Sequence, residues 1–383
     1  MFFSVFFLHI KHHVGNDSTI NEWLINYQGG FTKRGIIGDI SIFFSTILKV
    51  NLRDIIFYMQ VILIGTYFIC LLKFLREVNF NRMILLSVFS PIFILYPIAE
   101  LEVLARKEIF IFILFIIYIF LPKENITLQN FYKTIFLVFG ILIWEPIIFF
   151  FSFWLSVDII KHGYKKIDIN FLKNLIYYIP AIVIGFYIAI NPMSSDQHNT
   201  MAEFLKINFN EDCHGACALL KTKSTINDQI MDTLRFLSFE VLLRYFLIIL
   251  IGFGPLFFLL KNFSISKNNF LFFKFFNNLL FPFLIILSPA LVLFLMGVDW
   301  GRWVNISYVH AIIFFIYLYK NKFLIALKKS KIVSLKFFSK NMFILLFVIY
   351  CFGWNPKTLL TGDVASFPGY RVPYKIFKIV LMN

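Results

Sequence analysis

The chain has 383 residues, 60% of them hydrophobic, with a mean hydropathy of +0.80; soluble domains are roughly 45–50% apolar, so an ordinary soluble protein is excluded. A net charge of +15 would raise nucleic acid as a partner for a soluble chain, but here the lysines crowd into loops, as they do in cytoplasmic loops of membrane proteins, and no nucleic-acid partner is expected. Continuous apolar runs of about 13–25 residues predict an all-α, polytopic transmembrane helical protein of about 9–11 membrane segments, one of them broken or re-entrant, in a single integral membrane domain over 1–383. The runs do not alternate, which argues against a β-barrel.

Residues 1–10 are apolar but too short to span, and read as half of a first helix with Lys11, His12 and His13 at its exit. No charged leader region or small-residue cleavage site follows, so a cleaved signal peptide is not expected. Residues 11–39 form a polar stretch, expected on the extracytoplasmic side, with Glu22-Trp23 followed by Gly29-Gly30-Phe31-Thr32-Lys33-Arg34-Gly35 and Gly38. Glycines let the backbone turn sharply or approach a ligand, and Lys33 and Arg34 beside them offer cations for a phosphate, with backbone N–H groups in support. A plain loop with a topogenic Lys-Arg pair fits the same residues equally well.

Residues 40–48 are a short apolar segment, 55–72 a span, and Lys73, Arg76 and Arg82 mark a cytoplasmic loop before a second span at 83–98. Between that span and the apolar run 109–121 stand Glu100, Glu102, Arg106, Lys107 and Glu108. This is dense for a short connector. It reads either as a solvated turn with internal ion pairs or as part of a membrane-surface active site. Residues 134–157 carry Trp144-Glu145-Pro146 at their middle. A carboxylate inside a membrane segment is costly and marks a functional candidate, and Pro146 breaks or kinks a helix there. A broken helix with an acid at the break can line a cavity.

Residues 172–190 span, with Pro180 inside, and 191–232 are the longest polar stretch, sized for a lid and expected outside. Of the four cysteines, Cys70 and Cys351 lie in apolar runs, while Cys213 and Cys217 share this loop. They fit a small disulfide, free thiols or, least well, a metal site, since no second Cys/His pair lies near. A span at 236–260 precedes a basic loop at 262–278 and an apolar run at 279–298. Next comes Asp299-Trp300-Gly301-Arg302-Trp303, with a further apolar run over 304–319 behind it. Facing a cleft, these residues suit a sugar site, with Asp299 as base, Arg302 for phosphate and Trp300 and Trp303 for stacking. Facing the interface, they are an aromatic anchor with a local ion pair. The basic stretch 320–340 reads as cytoplasmic, and 342–351 as a last span. Counting crossings from the two ends leaves a disagreement of one near Glu145, which a broken helix there removes. Lys33-Arg34, Arg106-Lys107-Glu108, Glu145 and Asp299-Arg302 would then face one extracytoplasmic cavity.

The three stretches 29–35, 106–108 and 299–303, with the chain's size and Phe/Ile richness, resemble bacterial O-antigen or capsule repeat-unit polymerases of the Wzy type and, more broadly, integral-membrane glycosyltransferases of the GT-C class. The resemblance implies a multi-pass protein of the bacterial inner membrane that joins lipid-linked repeat units at its outer face. Its substrate would be an undecaprenyl-diphosphate-linked glycan, with membrane lipids and a chain-length regulator protein as partners. Asp299, Glu145 and Glu108 would be the catalytic carboxylates. Lys33, Arg34, Arg106, Lys107, Trp300, Arg302 and Trp303 would bind substrate. No cofactor and no metal site is evident. The chain lacks the pairing of an arginine with a glycine eleven positions on that some of these enzymes carry. An acidic motif of the metal-dependent GT-C kind would fall to Asp17 or Glu22. Transfer of a single sugar from a lipid-phosphate donor, a flippase or transporter of lipid-linked glycans, and a non-enzymatic envelope protein are the alternatives.

Overall fold

The computed structural model describes residues 2–15, 18–221, 226–265, 270–327 and 339–362. Asp17 and most of the basic stretch 320–340 (residues 328–338) lie outside the described residues. Among the described residues, four helices are long and apolar enough to cross a membrane: Leu52–Leu75, Ile126–Ile143, Phe239–Asn262 and Trp300–Lys320. A fifth results if Ile169–Ile176 and Ile179–Ile190, bent by 45° at their junction, form one span. Shorter apolar helices are Gly35–Leu48, Glu108–Phe120, Leu280–Met296 and Lys340–Phe352. The described residues contain one small sheet, an antiparallel pair of Phe263–Ile265 and Leu324–Ala326 with Phe263 opposite Ala326. The chain is therefore helical, with several apolar helices suited to a multi-pass membrane protein.

The helix starts are written in the sequence. Side chains of Asn51, Asn125, Asp168, Ser194, Ser238 and Ser339 each accept a backbone N–H in the first turn that follows, which satisfies donors that a helix cannot satisfy internally.

The chain divides into two compact units, Met1–Arg76 with Leu104–Asp228 and Glu77–Val103 with Gln229–Asn383. In the first, the Leu52–Leu75 helix packs against Phe2–His12, Gly35–Leu48 and Glu108–Phe120, and the last of these packs against Ile126–Ile143. Glu108–Phe120 is buried over most of its surface, with Phe120 exposed at its end, as expected of a helix apolar all round. The expected break at Glu145 is present. The Ile126–Ile143 helix ends at Trp144, whose backbone is extended, and a 3-10 turn over Glu145–Phe150 leads into Phe151–His162. Pro146 sits in the first turn of that 3-10 segment, where its missing N–H costs nothing. Residues 134–157 are thus two helices and a turn, not one run.

In the second unit the Trp300–Lys320 helix is buried along its length and serves as the central post. The Phe239–Asn262 helix packs against Arg82–Val88, Leu280–Leu287 and this post. Residues 83–98, expected as a span, are not one helix. The Arg82–Val88 helix stops, and helix resumes only briefly at Tyr96–Ala99. The reason is Pro91, which disfavours helix at Ser90; Pro97 falls in the first turn of the short helix that resumes, where proline is tolerated. Side chains of the post satisfy carbonyls along this segment. Tyr308 OH donates to Ser87 O at 2.8 Å, and Asn305 Nδ2 to Ile92 O at 2.9 Å. Irregular backbone at membrane depth is tolerable when protein groups satisfy it in this way.

Candidate functional site

The glycines of 29–38 hold the first unit's polar layer together. A Cβ on Gly29 would lie 1.9 Å from Gln197 O, one on Gly38 1.9 Å from Ile25 O, and one on Gly35 2.2 Å from the Tyr27 ring. These positions are glycine because backbone and ring press on them. Arg34 itself is in the left-handed region, φ 63°, as the N-cap of Gly35–Leu48. A non-glycine residue held there stores backbone strain. The turn throws its guanidinium away from its own helix and toward the break at Glu145.

The contact is bidentate. Arg34 Nε donates to Glu145 Oε2 and Nη2 to Oε1, both at 2.8 Å. Arg34 Nη1 reaches Glu22 Oε1 at 3.3 Å, and Arg106 Nη1 donates to the same oxygen at 2.7 Å. Glu22, 3% exposed, therefore bridges two arginines that are far apart in sequence. Lys107 Nζ donates to Arg34 O at 2.8 Å and lies 5.9 Å from the centre of the Trp23 ring. Trp23 Nε1 in turn donates to Ala105 O at 2.7 Å, and Gln60 Nε2 to Thr19 O at 2.9 Å. These bonds pin the 19–23 loop and the 105–107 turn to the Leu52–Leu75 helix. Lys33 completes the group, its Nζ 4.0 Å from Glu145 Oε1 and its side chain 43% exposed.

Lys33, Arg34, Arg106 and Lys107 thus gather about Glu22 and Glu145, with Glu108 buried at the start of the following helix. Burial pulls the Lys107 ammonium down to about 7, against the raising influence of Glu22. For Glu145, burial pushes the carboxyl up, but Arg34 and then Lys33 outweigh it and hold the group below its ordinary range. The acid is ionised, and its partner is a guanidinium whose fork fits phosphate as well as carboxylate. Such a cluster can exchange an internal carboxylate for an incoming anion.

Asp299, Trp300, Arg302 and Trp303 belong to the second unit and form a cluster of their own. Arg302 Nη1 donates to Asp299 Oδ2 at 2.5 Å, one turn along the helix, with side-chain exposures of 4% and 21%. The Arg302 guanidinium also lies 5.4 Å from the Trp303 ring centre. Trp300 Nε1 donates to Phe294 O at 2.8 Å, and its ring packs edge-on against Tyr245. Gly301 is pressed by the chain, a Cβ there lying 1.8 Å from Lys357 O. Lys357 reaches Glu100 at 2.6 Å and Thr358 reaches Glu102 at 2.8 Å, so two of the acids in the dense connector tie down the 355–362 segment. The local ion pair weighed for Asp299 is what the geometry displays.

Two features escape the sequence reading, and a third was open in it. Glu22 as a double bridge has no local signature, because both partners come from other segments. The second is a buried network around Asp158. Lys133 Nζ lies 3.1 Å from its Oδ2, Asn174 Nδ2 donates at 2.7 Å and Tyr178 OH at 2.8 Å, and Tyr118 OH also donates to it. Its signal was present, an acid and a lysine each embedded in apolar sequence. The third settles an open alternative: Cys213 and Cys217 are disulfide-bonded, and His198 Nε2 lies 3.3 Å from Cys213 Sγ. The same loop is anchored by Arg53, which grips Glu211 through Nε at 2.5 Å and Nη2 at 2.7 Å. No family model, curated protein or solved structure matches this chain.

Proposed function

We propose that the chain is an integral-membrane glycosyltransferase of the Wzy-like, GT-C kind that polymerises lipid-linked oligosaccharide repeat units into a surface polysaccharide, O-antigen or capsule, at the outer face of a bacterial inner membrane. It does so with about 9–11 membrane segments. The observation that carries this reading is the convergence of Lys33, Arg34, Arg106 and Lys107 on the helix break at Glu145. A diphosphate needs several cations at once, and a guanidinium fork meets two of its oxygens. A site held among membrane helices would suit a lipid-linked donor, whose headgroup lies at the membrane surface.

In this reading the diphosphate of an undecaprenyl-diphosphate-linked glycan displaces Glu145 from Arg34. The anomeric carbon–oxygen bond to the diphosphate breaks, and the acceptor sugar hydroxyl forms the new glycosidic bond. The freed Glu145 takes the hydroxyl proton, and the cations hold the departing diphosphate. Glu108 and the Asp299–Arg302 pair support the two units' structure, and Trp300 and Trp303 are anchors. Transfer of a single sugar from a lipid-phosphate donor uses the same groups. A flippase of lipid-linked glycans is the rival reading, and the acid at a helix break favours it.

The test is a surface-glycan ladder gel on a host strain lacking the gene and complemented with wild-type, Arg34→Ala or Glu145→Gln protein at equal membrane abundance. The expected result is a single repeat unit on the lipid anchor in the null strain and in both variants. Complete loss of repeats in the null strain points to the flippase, and full ladders in both variants contradict the site.

A further inference from the structure

His9 and His13 stand four residues apart at the end of the Phe2–His12 helix, so their rings lie on one face. The two Nε2 atoms are 3.2 Å apart. Asp54, in the first turn of the Leu52–Leu75 helix, brings Oδ1 within 3.9 Å of His13 Nε2. One nitrogen from each imidazole and one carboxylate oxygen all lie within 4.8 Å of one another. Phe57, one turn beyond Asp54, packs against the His9 ring at 4.9 Å and fixes its plane. The neighbouring basic groups are directed elsewhere. His12 is buried with its Nε2 2.9 Å from Gln60 Oε1, and Arg53 holds Glu211 and the His12 carbonyl.

We propose that His9, His13 and Asp54 bind a divalent transition-metal ion of the zinc class, with a fourth position open to water or to an outside ligand. Two Nε2 atoms on a tetrahedral zinc, each at about 2.0–2.1 Å, stand about 3.3–3.4 Å apart, close to the separation found here. Two neutral imidazoles and one carboxylate are a zinc-type donor set and a poor one for magnesium, which takes oxygen ligands. The ion takes the place of the Nε2 proton in the His–His hydrogen bond, and that proton moves to Nδ1 of the same ring, so both imidazoles stay neutral. It links the N-terminal helix to the Leu52–Leu75 helix, two segments about 45 residues apart in sequence. This site is independent of the glycosyltransfer reading and lies outside the Arg34–Glu145 cluster.

The test uses the full chain in detergent or nanodiscs, with any polyhistidine tag removed. Zn²⁺ alone is titrated by calorimetry, with Mg²⁺ as control, and Co²⁺ is added as a spectroscopic reporter of tetrahedral geometry. The expected result is one Zn²⁺ per chain, tetrahedral Co²⁺ absorption, and affinity lost by about 100-fold or more in His9→Ala and His13→Ala. Asp54→Asn weakens binding by about tenfold or more, and His214→Ala leaves it unchanged. A readout on folding accompanies this: Zn²⁺ raises the melting temperature of wild-type protein and not of His9→Gln. Wild-type protein that binds no zinc, or an Asp54→Asn variant that binds it as tightly as wild type, overturns the proposal.

Discussion

The first unit buries two charged clusters, and they are built on opposite principles. Around Asp158 the acid is met by Lys133, Asn174, Tyr178 and Tyr118, and the network closes on itself with Lys133 and Asp158 wholly buried. Around Arg34 four cations face Glu22 and Glu145, Lys33 stays half open to solvent, and Lys107 is spent on a backbone carbonyl. A closed network has nothing left to offer a ligand and acts on stability. A cluster with surplus positive charge and an exposed member is arranged to receive an anion. Buried polarity alone is therefore a poor guide to function, and the balance of donors against acceptors is a better one.

The largest expected effect breaks the closed network. Asp158→Ala leaves Lys133 charged and buried, which should cost about 3–5 kcal/mol and show as a lowered unfolding midpoint or lost membrane accumulation. Restoring volume and removing both charges, in a Lys133→Met, Asp158→Leu double variant, should recover most of that loss. Next is Arg34→Ala, which should lower the proposed polymerisation about 100–1,000-fold with the protein still folded, and Arg34→Lys should not restore it because a lysine cannot make the two-pronged contact. Equal effects of Asp158→Ala and Arg34→Ala on both activity and stability would erase the distinction drawn between the clusters.

A smaller effect sharpens it. Lys33→Ala removes the exposed cation and should weaken binding of a diphosphate lipid about tenfold, with no change in melting temperature. The pH dependence is set by Lys107, whose pKa falls from the usual lysine range to about 7 in the fold. Between about 7 and the ordinary lysine value the unfolded chain binds a proton that the folded chain lacks, so stability should rise with pH across that window. Below about 7 both states hold the proton and the dependence is gone. Lys107→Met should abolish this slope, as read from chemical unfolding at a series of pH values. Over the same range anion affinity should fall as Lys107 loses its charge, and Lys107→Arg should flatten that fall. The smallest effect belongs to Asp299→Asn, which keeps a hydrogen bond to Arg302 and should leave the glycan ladder unchanged.

Much of this was legible in the sequence. Pro146 announces the break beside Glu145, because its signal acts within one turn. Lys33-Arg34, Arg106-Lys107 and Glu145 stood out as charges at the margins of apolar runs, and they do converge. Residues 83–98 misled because composition measures apolarity and not continuity: Pro91 keeps helix from running on past Phe89 while the side chains stay buried. The glycines of 29–38 leave two readings open because a tight approach of backbone to backbone asks for the same residue as a tight approach to a ligand. Asp299 looked the strongest acid in isolation, yet Arg302 one turn away takes it up. Glu22 was hidden, since its two arginine partners come from segments separated from it by 12 and 84 residues.

The central claim is that the Arg34–Glu145 cluster receives a lipid diphosphate. It is tested most directly by titrating purified protein in nanodiscs with undecaprenyl diphosphate and with the uncharged undecaprenol, followed by native mass spectrometry or tryptophan fluorescence. Preferential binding of the diphosphate lipid, lost in Arg34→Ala and weakened in Lys33→Ala, is the predicted result. Equal binding of the two lipids, or diphosphate binding that survives Arg34→Ala intact, would contradict it.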